Sequence, residues 1–227
     1  MLLALDTATR VISLALHDGD RLIAESSWQT ANHHSVELAP AIAAMLSRAG
    51  IEAADLRAVA VALGPGSFTG LRIGLGLAKG MATALGMALI GVPTLEILAA
   101  AQPPFDGTLI AVLQAGRGHI CAQRFCREGE AWVPQSEAAI LDWKTLVESV
   151  GEDEPTLLSG EIDASGASRL AAASQAGRPI TVAPPAQRLR RAGFLADRAW
   201  TRLDRGDTDD PYLLVPIYLH QPGVPHP

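Results

Sequence analysis

The stretch that most restricts how this chain folds is "LRAVAVALGPGSFTGLRIGLGLAKGMATALG", residues 56–86. Residues 56–63 form an apolar run of the kind found in a strand buried on both faces. A turn follows at once, and then an apolar helix over about 70–85 that carries several glycines. The glycines at 64, 66, 70 and 74 admit three readings. A phosphate-cradling Walker A loop needs a lysine followed by Ser or Thr, and none is present. The spacing of Gly64, Gly66 and Gly70 loosely matches a dinucleotide loop, but Pro65 removes a backbone N–H where a pyrophosphate needs donors. The third reading is structural: Pro65 and Gly66 make a sharp turn, Ser67 or Thr69 caps the helix, and the glycines let another piece of backbone come close.

The helix itself has two charged residues, Arg72 and Lys79, one helical repeat apart. Gly76, Gly80 and Ala84 recur every fourth residue and form a groove for a neighbouring helix. A glycine inside a helix costs about 0.5–1 kcal/mol relative to alanine, so close packing has to offset several such penalties. The segment "SVELAPAIAAMLSRAG", 35–50, supplies a second helix, with Ser35 as N-cap and Gly50 as its stop. It carries Leu38, Ile42, Met45 and Leu46 on one face and Val36, Ala39 and Ala43 on another, which calls for burial on more than one side. One side meets its own sheet. The other meets the 70–85 helix or another subunit, and periodicity alone does not decide between them.

Elsewhere, residues 2–6, 11–17 and 21–28 read as a three-stranded meander punctuated by "TATR" and "DGDR". A strand at 88–91 and a helix from Thr94 lead to "QPPFDG", 102–107, whose prolines interrupt both helix and sheet. The order then partly repeats, with strands at 108–114 and 119–126, a helix at 142–149, a strand at 156–159 and a helix at 164–175. A helix over 186–204 and the extended "YLLVPIYL" follow. Two similar halves predict an α/β protein of two domains, 1–101 and 102–227, and leave open whether the 186–204 helix and the tail pack on the second domain or back on the first.

The 227 residues are 48% hydrophobic and 19% charged, enough for a substantial core. A net charge of -6 opposes independent binding to nucleic acid, so any RNA would be held through a partner. "MLLALDTATR" is not a secretory signal, and the uncharged stretch between Lys79 and Glu96 is too short and too broken by glycine and proline to span a bilayer, which predicts a cytoplasmic protein without membrane contact. No catalytic residue, metal or cofactor is expected. "GPGSFTG" lacks the spacing of a hydrolase elbow, and Cys121 and Cys126 fall on opposite faces of a strand. His33 and His34 read as polar residues ahead of a helix. "DRGDTDD", 204–210, reads as a solvated turn, and "RLRR", 188–191, continuing to Arg198, Arg202 and Arg205, as a solvated helix face.

"LLALDTATRVISLAL", "NHHSVELAPAI", "AVALGPGSFTGLRIGLGLAKGMATALG", "LIGVPTLEILA" and "PIYL" together resemble the TsaB family, the dimerisation subunit of the bacterial tRNA threonylcarbamoyladenosine complex. The likeness is strong over 1–100, diffuse through the middle, and returns at 216–219. It implies an actin-like (ASKHA) fold of two RNase H-like domains with mixed sheets and flanking helices. It also implies a non-catalytic role beside TsaD, the paralogue that transfers threonylcarbamoyl to adenosine 37 of tRNAs reading codons that begin with A. TsaE is a further implied partner, and a homodimer is implied when TsaD is absent. In the family the first two helices make the contact. Carried over, the interface residues are Leu38, Ile42, Met45, Leu46, Leu71, Leu75, Gly76, Lys79, Gly80 and Met81, with Gly64, Pro65, Gly66, Ser67, Thr69, Gly70 and Arg72 forming the motif turn.

Members of the superfamily that use ATP place an acid and small polar residues in the first hairpin. Here Asp6, Thr7 and Thr9 form a candidate vestigial nucleotide site. Ala8 stands where active relatives have glycine, and Gln114 where the family commonly has aspartate. An amide does not hold magnesium as a carboxylate does, so ATP hydrolysis by this chain alone is not expected. The alternative is a small-molecule kinase or ATPase of the same superfamily. A metallopeptidase would need a histidine pair that is absent between Gly70 and Ala100.

Overall fold

The computed structural model describes residues 1–31 and 33–219. In chain order the strands and helices are β1 (Leu2–Asp6), β2 (Val11–His17), β3 (Leu22–Gln29), α1 (His34–Ala49), β4 (Ala58–Ala62), α2 (Phe68–Leu85), β5 (Ala88–Val92), α3 (Thr94–Ala100), β6 (Thr108–Gly116), β7 (His119–Glu128), β8 (Ala131–Pro134), β9 (Ala139–Asp142), α4 (Trp143–Glu148), β10 (Thr156–Gly160), α5 (Ala164–Gln175), β11 (Ile180–Val182) and α6 (Ala192–Asp204). They form two compact units. Met1–Ile97 and Arg190–Ile217 make the first; Leu98–Leu189, with Tyr218 and Leu219 among the described residues, makes the second.

The first unit is built on a five-stranded sheet of order β3-β2-β1-β4-β5. β1, β2 and β3 form the antiparallel meander, while β4 and β5 run parallel to β1. Successive strand residues point to opposite faces, so the apolar runs feed two separate cores. Leu3, Leu5, Leu14, Leu16, Val59 and Val61 join α1 and α2 in one cluster. Leu2, Ala4, Ala15, Ala58, Ala60 and Ala62 join Ala192, Leu195, Ala196 and Ala199 of α6 in the other. Alanines on both sides of that second contact bring α6 close to the sheet. α6 thus belongs to the first unit.

The second unit carries a six-stranded sheet of order β11-β10-β6-β7-β8, with β9 also paired to β7. Trp143 and Leu146 of α4 and Leu170 and Ala173 of α5 pack against Ile110, Val112, Ile120 and Leu158 on one of its faces.

The elements depart from the sequence reading in a few places. β8, β9 and β11 were not expected; each has three or four residues, too few to show a period. α1 starts at His34 and its N-cap, His33, makes no side-chain cap bond, so Ser35 lies inside the first turn. α6 starts at Ala192, six residues later than the pattern suggested, because Pro184 and Pro185 open a separate short 3-10 turn that ends at Gln187. "RLRR" therefore lies ahead of the helix and not on it.

Candidate partner-binding face

The glycine-rich turn is a docking point for the chain's own first hairpin. Ser67 is the N-cap of α2: its hydroxyl accepts from the Gly70 N–H at 3.2 Å, while Thr69 is exposed in the first turn. The Ser67 N–H donates to the Ala8 carbonyl at 2.6 Å, and the Thr7 hydroxyl donates to the Gly70 carbonyl at 2.8 Å. A Cβ at Gly66 would collide with the Ala8 carbonyl, one at Gly70 with the Thr7 carbonyl, and one at Gly74 with Thr7 Oγ1. Gly66 and Gly70 are thus explained by close approach of the hairpin's backbone, as the structural reading expected, and Gly74 by that of the Thr7 side chain. Gly64 is joined to Pro65 by a cis peptide, and its N–H donates to Thr94 Oγ1 at 2.9 Å. Arg72 lies over the Phe68 ring, 3.7 Å from its centroid.

Burial divides the residues carried over from the family into two groups. Leu38, Ile42, Met45, Leu46, Leu71 and Leu75 are buried in the first unit's own cores. Their side chains are used intramolecularly, which corrects the expectation that they would be left for another polypeptide to cover. Gly76 and Gly80 are exposed, Lys79 and Met81 half-buried. A Cβ added at Gly76 or Gly80 meets nothing within 4 Å, so the groove they form is not filled by α1. Around it stand Ile73, Leu77 and Met81, half-buried, and Ala84, exposed. On α1 the outward residues include Val36, Ala39, Pro40 and Ala43, with Val36 at 70% exposure. The outward face of α1 is thus the one with Val36, Ala39 and Ala43, which periodicity leaves open to either role, while Ile73 and Leu77 on α2 are partly buried against the core. The two-faced pattern of α1 does not say which face the sheet takes; the resemblance places the larger residues outward, and the sheet takes them.

The candidate nucleotide loop is closed by a residue that the sequence reading placed in solvent. Asp6 and Thr7 are fully buried, and Thr9 nearly so. Asp6 Oδ1 accepts from the Ala8 N–H at 2.9 Å, and Asp6 Oδ2 accepts from Arg190 Nε at 3.0 Å. Arg190 Nη2 donates to Thr9 Oγ1 at 2.6 Å. His34, also buried, places Nε2 at 2.8 Å from the Thr9 carbonyl, so it is part of this packing and not a free loop residue. Three more arginines of the series are engaged as well. Arg191 pairs with Glu25, Arg198 with Glu96, and Arg202 with Asp207 and Asp209. Those last two aspartates belong to the stretch expected to be a solvated turn. In the second unit the Gln114 N–H donates to Glu161 Oε2, and its side-chain amide donates to the Glu161 carbonyl, both at 3.0 Å.

Among the described residues no group of three or more His, Cys, Asp or Glu side chains is arranged to hold a metal ion, and no helix is long and apolar enough to cross a membrane. Burial, with a smaller contribution from Glu161, pushes the Cys121 thiol up to about 11.

Comparison with known proteins gives this arrangement its context. Residues 28–150 match the family model described as "TsaD: tRNA N6-adenosine threonylcarbamoyltransferase". The tRNA threonylcarbamoyladenosine biosynthesis protein TsaB of Bacillus subtilis is 34% identical over 162 residues, 70% of each chain. The solved structure of YeaZ from Pseudomonas aeruginosa superposes with a TM-score of 0.76 at 25% identity, covering 96% of this chain and 99% of that one. The ethanolamine utilization protein EutJ of Carboxydothermus hydrogenoformans shares the fold at a TM-score of 0.53 and 14% identity, over 85% of this chain and 88% of that one. The fold is actin-like, and the chain belongs to the TsaB (YeaZ) family.

Proposed function

We propose that this chain is a non-catalytic subunit of the cytoplasmic machinery that makes threonylcarbamoyladenosine in tRNA. It docks on TsaD through the outward faces of α1 and α2, and it pairs with a second copy of itself when TsaD is absent. The observation that supports this reading is the open stripe of Gly76, Gly80 and Ala84, beside Ile73, Leu77 and Met81: two of these small residues are glycines that cost helix stability, and among the described residues nothing fills the space a Cβ would take at either. Another helix fits such a notch closely, and the apolar residues along it favour a protein partner over solvent. TsaD gains from this contact only to the extent that the chain prefers one TsaD conformation over another. TsaE joins the same assembly, and tRNA is reached through TsaD. The committed loop at Asp6 and the Gln114–Glu161 bonds support a subunit that does not turn over ATP by itself.

Size-exclusion chromatography of the purified chain mixed with TsaD at micromolar concentration tests the reading. A heterodimer peak is expected. Separate elution of both proteins, with no loss of TsaD-dependent tRNA modification when this chain is left out, would overturn it.

A further inference from the structure

The actin-like fold implies a magnesium-bound nucleotide against the first hairpin, and the residues present do not fit one. Both Asp6 carboxylate oxygens are engaged, one by the Ala8 N–H and one by Arg190. The Thr9 hydroxyl accepts from the same guanidinium, the Thr7 hydroxyl is given to Gly70, and the Ala8 carbonyl to Ser67. The oxygens a hydrated cation would use are already bonded. The ion pair itself is closed to water, with Asp6 at 0% and Arg190 at 3% exposure. A carboxylate in such a place is strongly disfavoured unless a cation accompanies it.

We infer that Arg190 is the built-in cation of this loop, a guanidinium carried by the chain itself that fixes the hairpin and so seats the start of α2 without any ligand. Its delivery is well anchored. The Ala192 N–H, two residues on, donates to Ser13 Oγ at 2.8 Å, and the Gly193 N–H donates to Glu25 Oε1 at 2.7 Å. Arg191 holds the other oxygen of Glu25. The start of α6 is thereby tied to β2 and β3, and Arg190, just ahead of it, reaches Asp6. From the hairpin the chain of contacts continues through Thr7 and Ala8 to Gly70 and Ser67, at the first turn of α2. An arginine suits the task because its planar fork serves a carboxylate and a hydroxyl at once and stays charged when buried.

The test uses the full-length chain as wild type, Arg190→Ala and the double variant Asp6→Asn/Arg190→Ala. Wild type should show no binding to manganese–ADP at millimolar concentration by calorimetry. Arg190→Ala should melt roughly 10 °C lower, because it strands a buried carboxylate. Guanidinium chloride at a non-denaturing concentration of about 20 mM should recover part of that loss. Asp6→Asn/Arg190→Ala should melt above Arg190→Ala and no longer respond to guanidinium. If Arg190→Ala does not fold, recovery of folding in the double variant supports the inference, and failure of the double variant to fold overturns it. Manganese–ADP binding by wild type would also overturn it. So would an Arg190→Ala protein that melts like wild type, or one that neither guanidinium nor Asp6→Asn improves.

Discussion

Thr7 and Gly74 meet with no room between them: a Cβ on Gly74 would collide with Thr7 Oγ1, whose hydroxyl donates to the Gly70 carbonyl one helical turn earlier at 2.8 Å. Intrinsic helix propensity favours alanine over glycine by about 1 kcal/mol, yet here the collision with a fully buried threonine dominates. Gly74→Ala should destabilise the protein by about 1–3 kcal/mol, the usual cost of overpacking. Urea unfolding checks this. In a double-mutant cycle Thr7→Ala should absorb much of the Gly74→Ala loss, because it removes the atom that is struck.

Gly76 and Gly80 sit on the same helix and carry the opposite expectation. Among the described residues nothing lies within 4 Å of a Cβ at either position. Gly80→Leu should leave the melting temperature unchanged or raise it, since leucine is the better helix former. The same change should weaken association with TsaD, or of two copies, at least tenfold, by filling the notch a partner helix would enter. Calorimetry on the purified proteins reads both effects, and wild-type affinity in a correctly folded Gly80→Leu protein would show that the notch is not the contact.

The difference between those glycines marks where the sequence was legible. The meander, the buried β4 and both α1 and α2 could be read because each carries a strong period or a clear punctuation mark, such as Ser67 ahead of α2 and Gly50 after α1. A period separates one face of a helix from another; it does not say which face its own sheet will take. Leu38, Ile42 and Met45 went to the sheet and Val36, Ala39 and Ala43 to solvent, as larger side chains bury more area. Arg190 was out of reach for a different reason. It is 184 residues from Asp6 in sequence, and an arginine in a basic run looks solvated until the fold brings it to a buried acid.

Ile42 and Val36 turn that distinction into a measurement. Ile42 is 5% exposed in the core beneath α1, whereas Val36 is 70% exposed on its outer side. Ile42→Ala should cost about 2–5 kcal/mol of stability through lost burial and the cavity left behind. Val36→Asp should change stability by no more than about 0.5 kcal/mol, as for an ordinary surface position. The ranking should reverse for association. Val36→Asp places a charge in the proposed contact and should weaken partner binding tenfold or more, while folded Ile42→Ala should bind nearly as well as wild type.

Arg202 clamps the segment that leaves α6. It donates to Asp207, to Asp209 and to the Gly91 carbonyl, while the Gly91 N–H donates to Asp209 Oδ2 at 2.7 Å. Hydrogen bonding to Arg202 is the main reason the Asp207 carboxyl is held below its ordinary value, and the same partner raises Arg202. A carboxyl depressed in the folded state contributes stability that is present above its unfolded value, about 3.9, and that is lost as the pH falls through the lower folded value. The clamp should therefore be intact at neutral pH and release only in acid below about pH 4. Carbon-detected NMR titration of the Asp207 carboxyl should show an inflection below the ordinary aspartate range, and Arg202→Ala should move it back up. A wild-type inflection at the ordinary value would mean that the pair contributes nothing in solution, as many exposed ion pairs do.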